Sequence, residues 1–216
     1  MIVVLLVAVL LLVAPATARA DWTVAAYIGT AWTRSTTLTL DRGGLGQSTF
    51  TGVAFESRSF EGPLYYGYRG GWFRRGSIAG IEGEVIHLKV FARPGTLGPD
   101  VRRFSISHGL NLLFANAVLR QRVSPSRRVV ATARLGAGFS VPHGESEIAG
   151  VEQQQSEVGS LALQAAGGVE LRVAPHVRAF AEYKVTRTAP DVSVAGGSVH
   201  GRYLSQHLAA GLGVAW

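Results

Sequence analysis

The chain contains no cysteine, which excludes a disulfide framework, a thiolate metal site and a cysteine nucleophile. Charge is scarce as well. Of 216 residues 16% are charged and 47% hydrophobic, too apolar a balance for a disordered chain. Past the first 14 residues no apolar run reaches the roughly 20 needed to cross a bilayer as a helix. Signatures of RNA-binding, zinc-finger and helix-turn-helix modules are missing. The formal charge of +7 therefore points away from nucleic acid and toward an anionic membrane surface or acidic lipid headgroups.

What is present begins with "MIVVLLVAVLLLVAPATARA". An apolar run, Ile2 to Ala14, is followed by Ala18-Arg19-Ala20, a small-x-small cleavage pattern. No Lys or Arg precedes the run. The expectation is a signal peptide over residues 1–20, cut before Asp21, leaving an exported domain of residues 21–216 with formal charge +6. Such a chain is either soluble outside the cytoplasm or held in a membrane by something other than helices.

The remainder reads as strands with a period of two. "LALQAAGGVELRV" sets Leu161, Leu163, Ala165, Val169, Leu171 and Val173 against Ala162, Gln164, Ala166, Glu170 and Arg172. "VRAFAEYKV" sets Val177, Ala179, Ala181, Tyr183 and Val185 against Arg178, Phe180, Glu182 and Lys184. Comparable alternation marks "WTVAAYIGTAW", "PLYYGYRGGWF", "IAGIEGEVIHLKVFA", "HGLNLLFANAVLR", "LGAGFSVPHGESE" and "YLSQHLAAGLGVAW", giving eight strands in all. In the fourth, Leu110, Leu112, Phe114 and Val118 share a face, and alternation places His108 and His143 outward with Leu112 and Val141.

Connectors alternate in length. Arg74–Ser77, Ser124–Arg127 and Ala174–His176 are turn-like, whereas the segments around 35–62, 93–103, 144–160 and 189–202 are long and polar. Short turns on one side and long loops on the other are the pattern of an eight-stranded antiparallel transmembrane β-barrel of the outer-membrane type. Hydrocarbon offers no partner to a backbone amide, so a membrane-spanning sheet must close on itself. A soluble barrel would show the reverse polarity, apolar inside and polar outside. The inward polar set (Tyr27, Arg69, Glu84, Arg134, Glu170, Arg172, Glu182, Lys184) is nearly balanced in charge and predicts an interior salt-bridge network without an open pore. Trp22, Trp72 and Trp216 near the short turns, and Trp32, Tyr66 and Tyr68 toward the other side, read as two interfacial girdles.

Of the six histidines, His176 falls in a short turn and His200 in a long loop. His87, His108, His143 and His207 fall near the outer boundary, the first three on neighbouring strands. His87, His108 and His143 with Glu145 form a candidate acid/base site or, with a divalent cation, a metal site, since imidazole and carboxylate suit a non-thiolate metal. The other reading is that strand ends at a wet interface collect polar residues. A bulge near Pro142 or Gly109 would turn His108 and His143 inward. A serine hydrolase assembled from Ser105 or Ser107, His108 and Glu84 or Glu145 is conceivable, although no G-x-S-x-G is present.

Taken in order, "SHGLNLLFAN", "GAGFSVPHGE", "LALQAAGGVE", "FAEYKV", Gly196-Gly197 and "IHLKVFA" resemble the lipid A oxidase-like family of outer-membrane β-barrels over most of the exported domain. The long loops are least alike. The resemblance implies oxygen-dependent oxidation of the proximal glucosamine of lipid A to 2-aminogluconate. The matching positions are His87, Lys89, His108, Asn111, Asn116, Pro142, His143, Glu145, Gln164, Glu182, Lys184 and His207.

The expectation is a monomeric barrel in the outer membrane of a Gram-negative bacterium, with lipid A or lipopolysaccharide as its partner. Catalytic candidates are His87, His108, His143, Glu145 and His207, and binding candidates are Asn111, Gln164, Glu182, Lys184, Arg102 and Arg103. A non-catalytic structural, adhesive or lipopolysaccharide-binding barrel and a lipid A deacylase stand as alternatives.

Overall fold

A computed structural model of the chain describes residues 20–126 and 128–216. Nearly all of the expected signal peptide, Arg127 of one short turn, and the side chain of His108 lie outside the described residues.

Eight long strands close into one antiparallel barrel. They are β1 (Ala20–Thr33), β2 (Tyr66–Arg74), β3 (Ala79–Ala92), β4 (Val101–Arg122), β5 (Val129–Ile148), β6 (Leu161–Arg172), β7 (Val177–Thr188) and β8 (Tyr203–Ala215). Each pairs with its sequence neighbours, and β8 returns to β1 from Thr23↔Ala215 to Thr33↔Ser205, so the sheet has no open seam.

The outer face is apolar where the strands are regular. Ile28, Tyr68, Ile81, Leu135, Phe139, Leu163, Val169, Leu208 and Leu212 are all exposed, and Trp22, Trp32, Trp72 and Tyr183 are exposed toward its edges. In water so large a continuous apolar surface is untenable. In a bilayer it is the required one.

The lower interior is ionic. Arg69, Arg134 and Lys184 face Glu82, Glu84 and Glu182, three cations against three carboxylates, all buried. Arg69 Nη1 donates to Glu182 at 2.6 Å, Arg134 Nε to Glu82 at 3.0 Å, and Lys184 bridges Glu84 and Glu182. Tyr27 and Gln164 donate to Glu84 at 2.7 and 2.6 Å, and Asn116 adds a third contact at 3.0 Å. Such groups survive burial only because every charge is compensated. Gly136 makes room for this network, because a Cβ there would fall 1.9 Å from Asn116 Oδ1. The expected network is present with one correction. Arg172 lies beyond Glu170 at the end of β6, where the strand leaves the barrel, and is exposed.

The upper interior is apolar. Ile86, Leu88, Leu110 and Leu112 are buried there, below Val90, Phe104 and Ile106. This corrects the outward placement of Leu112. On β4 the lipid-facing positions are Leu113, Ala115 and Ala117, while the larger Leu112, Phe114 and Val118 fill the lumen. The apolar layer is covered by a four-stranded sheet made from two of the long loops. Thr36–Asp41 pairs with Gln47–Val53 on one side and with Gly197–Gly201 on the other, which in turn pairs with Asp191–Val194. Its Leu38, Leu40, Val53, Val192, Val194 and Val199 are buried in one core with Phe104, Ile106 and Ile148.

Two expected loops are shorter than their polarity suggested. β4 begins at Val101, and β5 continues to Ile148 before turning at Ala149-Gly150 into Val151–Ser156. Both turn residues have positive φ (50° and 79°), the geometry of a tight two-residue hairpin whose twist matches the strands it joins. Alternation in "ESEIAGVEQQQS" reflects a hairpin that buries Ser146 and Ile148 on one face and leaves Val151–Ser156 largely in solvent.

Candidate functional site on the outer wall

Strand β4 carries two more residues than its neighbours near the top of the barrel. Leu88↔Leu110 is followed by Val90↔Ile106 on one side, and Leu110↔Pro142 by Ser105↔Glu145 on the other. The surplus lies within Ile106–Gly109 and is a bulge. Gly109 sits at φ 119°, and a Cβ there would lie 2.3 Å from His87 Cε1, so only glycine lets the imidazole lie against the backbone.

An excess of two leaves the alternation intact above and below. Pro142 keeps its register opposite Leu110, so no bulge forms on β5 and His143 remains outward. His87, Asn111, His143 and Glu145 thus share the outward face of three adjacent strands. His87 and Val141 both register with Asn111, and His143 lies two residues above Val141. At about 4.8 Å per strand and about 3.4 Å per residue the two positions stand roughly 12 Å apart along the wall. His143 stays on the outward face where alternation places it, and the bulge near Gly109 does not turn it inward. The group is collected on the outside of the barrel.

His87 is tightly set. Its Nδ1 lies 2.9 Å from Asn111 Oδ1, an atom that only accepts, so Nδ1 donates and the lone pair of a neutral ring falls on Nε2. Tyr66 stacks on the ring at 4.8 Å with an interplanar angle of 10°. Tyr66 thereby joins this candidate group, whereas the sequence pattern assigned it only to a girdle. Its register opposite His87 across the β2–β3 hairpin is the signal that could have found it. His143 Nδ1 is 2.6 Å from Ser156 Oγ on the solvent hairpin. Glu145 and its cross-strand partner Ser105 are both buried despite their outward register. Lys89, two residues above His87, donates to the Glu61 carbonyl at 2.8 Å. An imidazole oriented as His87 is can move a proton at an adjoining headgroup.

Other expected site residues fall elsewhere. His207 points into the lumen of β8, fully buried, with Nδ1 3.1 Å from Tyr65 Oη and Nε2 2.8 Å from Thr186 Oγ1. It is separated from His87 by the barrel wall. Gln164, Glu182 and Lys184 belong to the ionic interior, out of reach of a lipid. Arg102 and Arg103 are exposed on the extension of β4, paired with Glu147 at 3.0 Å and Glu152 at 3.4 Å. For the metal trio, His108 contributes no described side chain, and among the described residues no three His, Asp or Glu side chains are grouped to hold a cation.

No family model matches the chain, and no curated protein matches it. Solved structures do. The outer membrane protein OprG from Pseudomonas aeruginosa is 9% identical with a TM-score of 0.52, covering 91% of this chain and 95% of that one. Neisserial surface protein A is 17% identical with a TM-score of 0.44, over 91% and 97%. Ail, the attachment invasion locus protein of Yersinia pestis, is 14% identical with a TM-score of 0.42, over 91% and 98%. Identities this low carry the architecture and nothing finer. The chain has the closed eight-stranded antiparallel fold of outer-membrane barrels.

Proposed function

We propose that this chain resides in the outer membrane of a Gram-negative bacterium and modifies lipid A at the outer-leaflet side of its wall. One observation carries the reading: His87, Asn111, His143 and Glu145 share the outward register above the apolar belt of a barrel whose interior is filled, with Asn111 and His143 partly exposed and His87 and Glu145 buried in the wall. A substrate meeting those groups arrives laterally, within the lipid plane. A lipid headgroup does so, and a soluble metabolite passing through a pore does not.

The reaction suggested by the resemblance is oxidation of the proximal glucosamine. Its aldehyde-level C1 takes up water and loses two electrons and two protons to molecular oxygen, giving the carboxylic acid and hydrogen peroxide. Imidazole and carboxylate groups suit the proton movements. Ser105 directly opposite Glu145 favours a second reading, hydrolysis of an acyl ester. The test is expression in a host whose lipid A carries a free hydroxyl rather than phosphate at C1, with mass spectra recorded with and without oxygen. A gain of one oxygen atom that requires oxygen supports oxidation, and loss of an acyl chain supports hydrolysis. An unchanged spectrum from heat-modifiable, folded protein overturns both and leaves a structural or adhesive barrel. His143→Ala and His87→Ala abolish the change while the barrel still folds.

A further inference from the structure

The end of the barrel opposite the cap is open and strongly basic. Arg120, Arg122, Arg172 and Arg178 converge on its mouth from β4, β6 and β7, and Arg128 joins them from the turn before β5. Two adjoining clefts share Arg122, Val130 and Arg178, one of about 270 Å³ lined by Arg128, Glu170 and Arg172 and one of about 190 Å³ lined by Asp21, Phe73 and Arg120.

Glu170 shows what this mouth holds. Arg120 Nη2 donates to it at 2.7 Å and Arg178 Nη1 at 3.4 Å, a carboxylate gripped between guanidinium groups. The remaining arginines have no such partner. Among the described residues Arg122, Arg128 and Arg172 meet no carboxylate, and all three are exposed. Arg172 lies directly opposite Arg178 in the β6–β7 register. Like charges facing each other across a ladder destabilise it. The arrangement is a stability cost that an anionic ligand would relieve.

Place selects the ligand. The cleft lies at the lumen mouth, whereas Trp22 and Trp72 are exposed on the outer surface of the same end, where an interfacial girdle would sit. A phospholipid would have to bend its acyl chains around that rim to bring a headgroup to the axis. A polymer in the aqueous space meets no such obstacle, and several separated guanidinium groups suit repeated carboxylates better than one small ion.

We propose that this mouth is a docking site for a carboxylate-bearing peptide polymer of the periplasm, the chemical class to which the peptide stems of the cell wall belong. The proposal rests on the outer-membrane placement above, with the short turns on the periplasmic side, and is independent of the lipid A chemistry.

The test is co-sedimentation of the full chain, folded in detergent, with purified cell-wall sacculi. The protein sediments at low salt and is released as salt screens the contacts. Sacculi with esterified carboxylates fail to retain it, a result that needs no variant. The combined change Arg122→Ala, Arg128→Ala and Arg172→Ala weakens retention by roughly tenfold or more. The same protein keeps its heat-modifiable mobility and gives expressing cells the same lipid A spectrum as the parent protein does. Parent protein remaining in the supernatant, equal retention by esterified sacculi, or equal retention of the triple variant would overturn the proposal. So would binding to phosphatidylglycerol vesicles without binding to sacculi, which would make the occupant a lipid. Failure of the lipid A experiment leaves this test untouched.

Discussion

The two ends of the barrel are built on opposite principles. At the upper end Leu88, Leu110, Ile106 and Phe104 continue into the buried face of a sheet made from loops, and the lumen is closed by apolar packing. At the lower end the strands stop soon after Glu170 and Phe73, and the mouth is left to arginine. Apolar burial stabilises without regard to direction. Exposed charge contributes little to stability and remains available to a partner. One end is therefore set by folding and the other is left free for recognition, with the ionic layer of Arg69, Arg134, Lys184 and their carboxylates between them.

Substitutions along the axis test that contrast. The largest effect belongs to the layer between the ends. Lys184→Ala leaves Glu84 and Glu182 buried without their shared cation and destabilises the barrel by about 3–5 kcal/mol, read from the denaturant midpoint of the heat-modifiable form. Next comes the cap: Ile106→Ala loses about 2–5 kcal/mol in the same assay, since its side chain is fully buried. Gly109→Ala forces a side chain into positive φ and against His87, at a cost of about 1–3 kcal/mol. Its larger consequence is functional, because the displaced imidazole loses Asn111, and lipid A modification falls while the barrel persists. Arg122→Ala at the mouth shifts the midpoint by less than about 0.5 kcal/mol. If it destabilised the barrel as much as Ile106→Ala does, the contrast between the ends would fail.

The regular parts of the barrel were legible because a period of two is a strong signal. Leu161 to Leu171 and Glu182 with Lys184 stand where alternation put them, lipid-facing and lumen-facing. The upper half of β4 was not legible. Apolar side chains there were read as meeting lipid, yet an apolar layer also fills the top of the lumen, and hydropathy cannot distinguish the two sides. The bulge carries no mark of its own either. A surplus of two within Ile106–Gly109 leaves the alternation undisturbed, so only the pairing of both neighbouring strands reveals it. The candidate site was half visible. His87, His143 and Glu145 were found by their level on neighbouring strands, and His207 was included because it shares that level on the opposite wall, facing inward.

The loop sheet also bears on how the barrel is put together. Closure joins β1 to β8, the first strand to the last. Above that junction Leu38 pairs with Gly201 and Leu40 with Val199, so the loop that follows β1 and the loop that precedes β8 continue the same seam beyond the membrane. Neither half of this clasp has its partner until the final strand arrives. The cap is thus a record of completed assembly: a circle left open has no lid, and a lidded circle is a closed one.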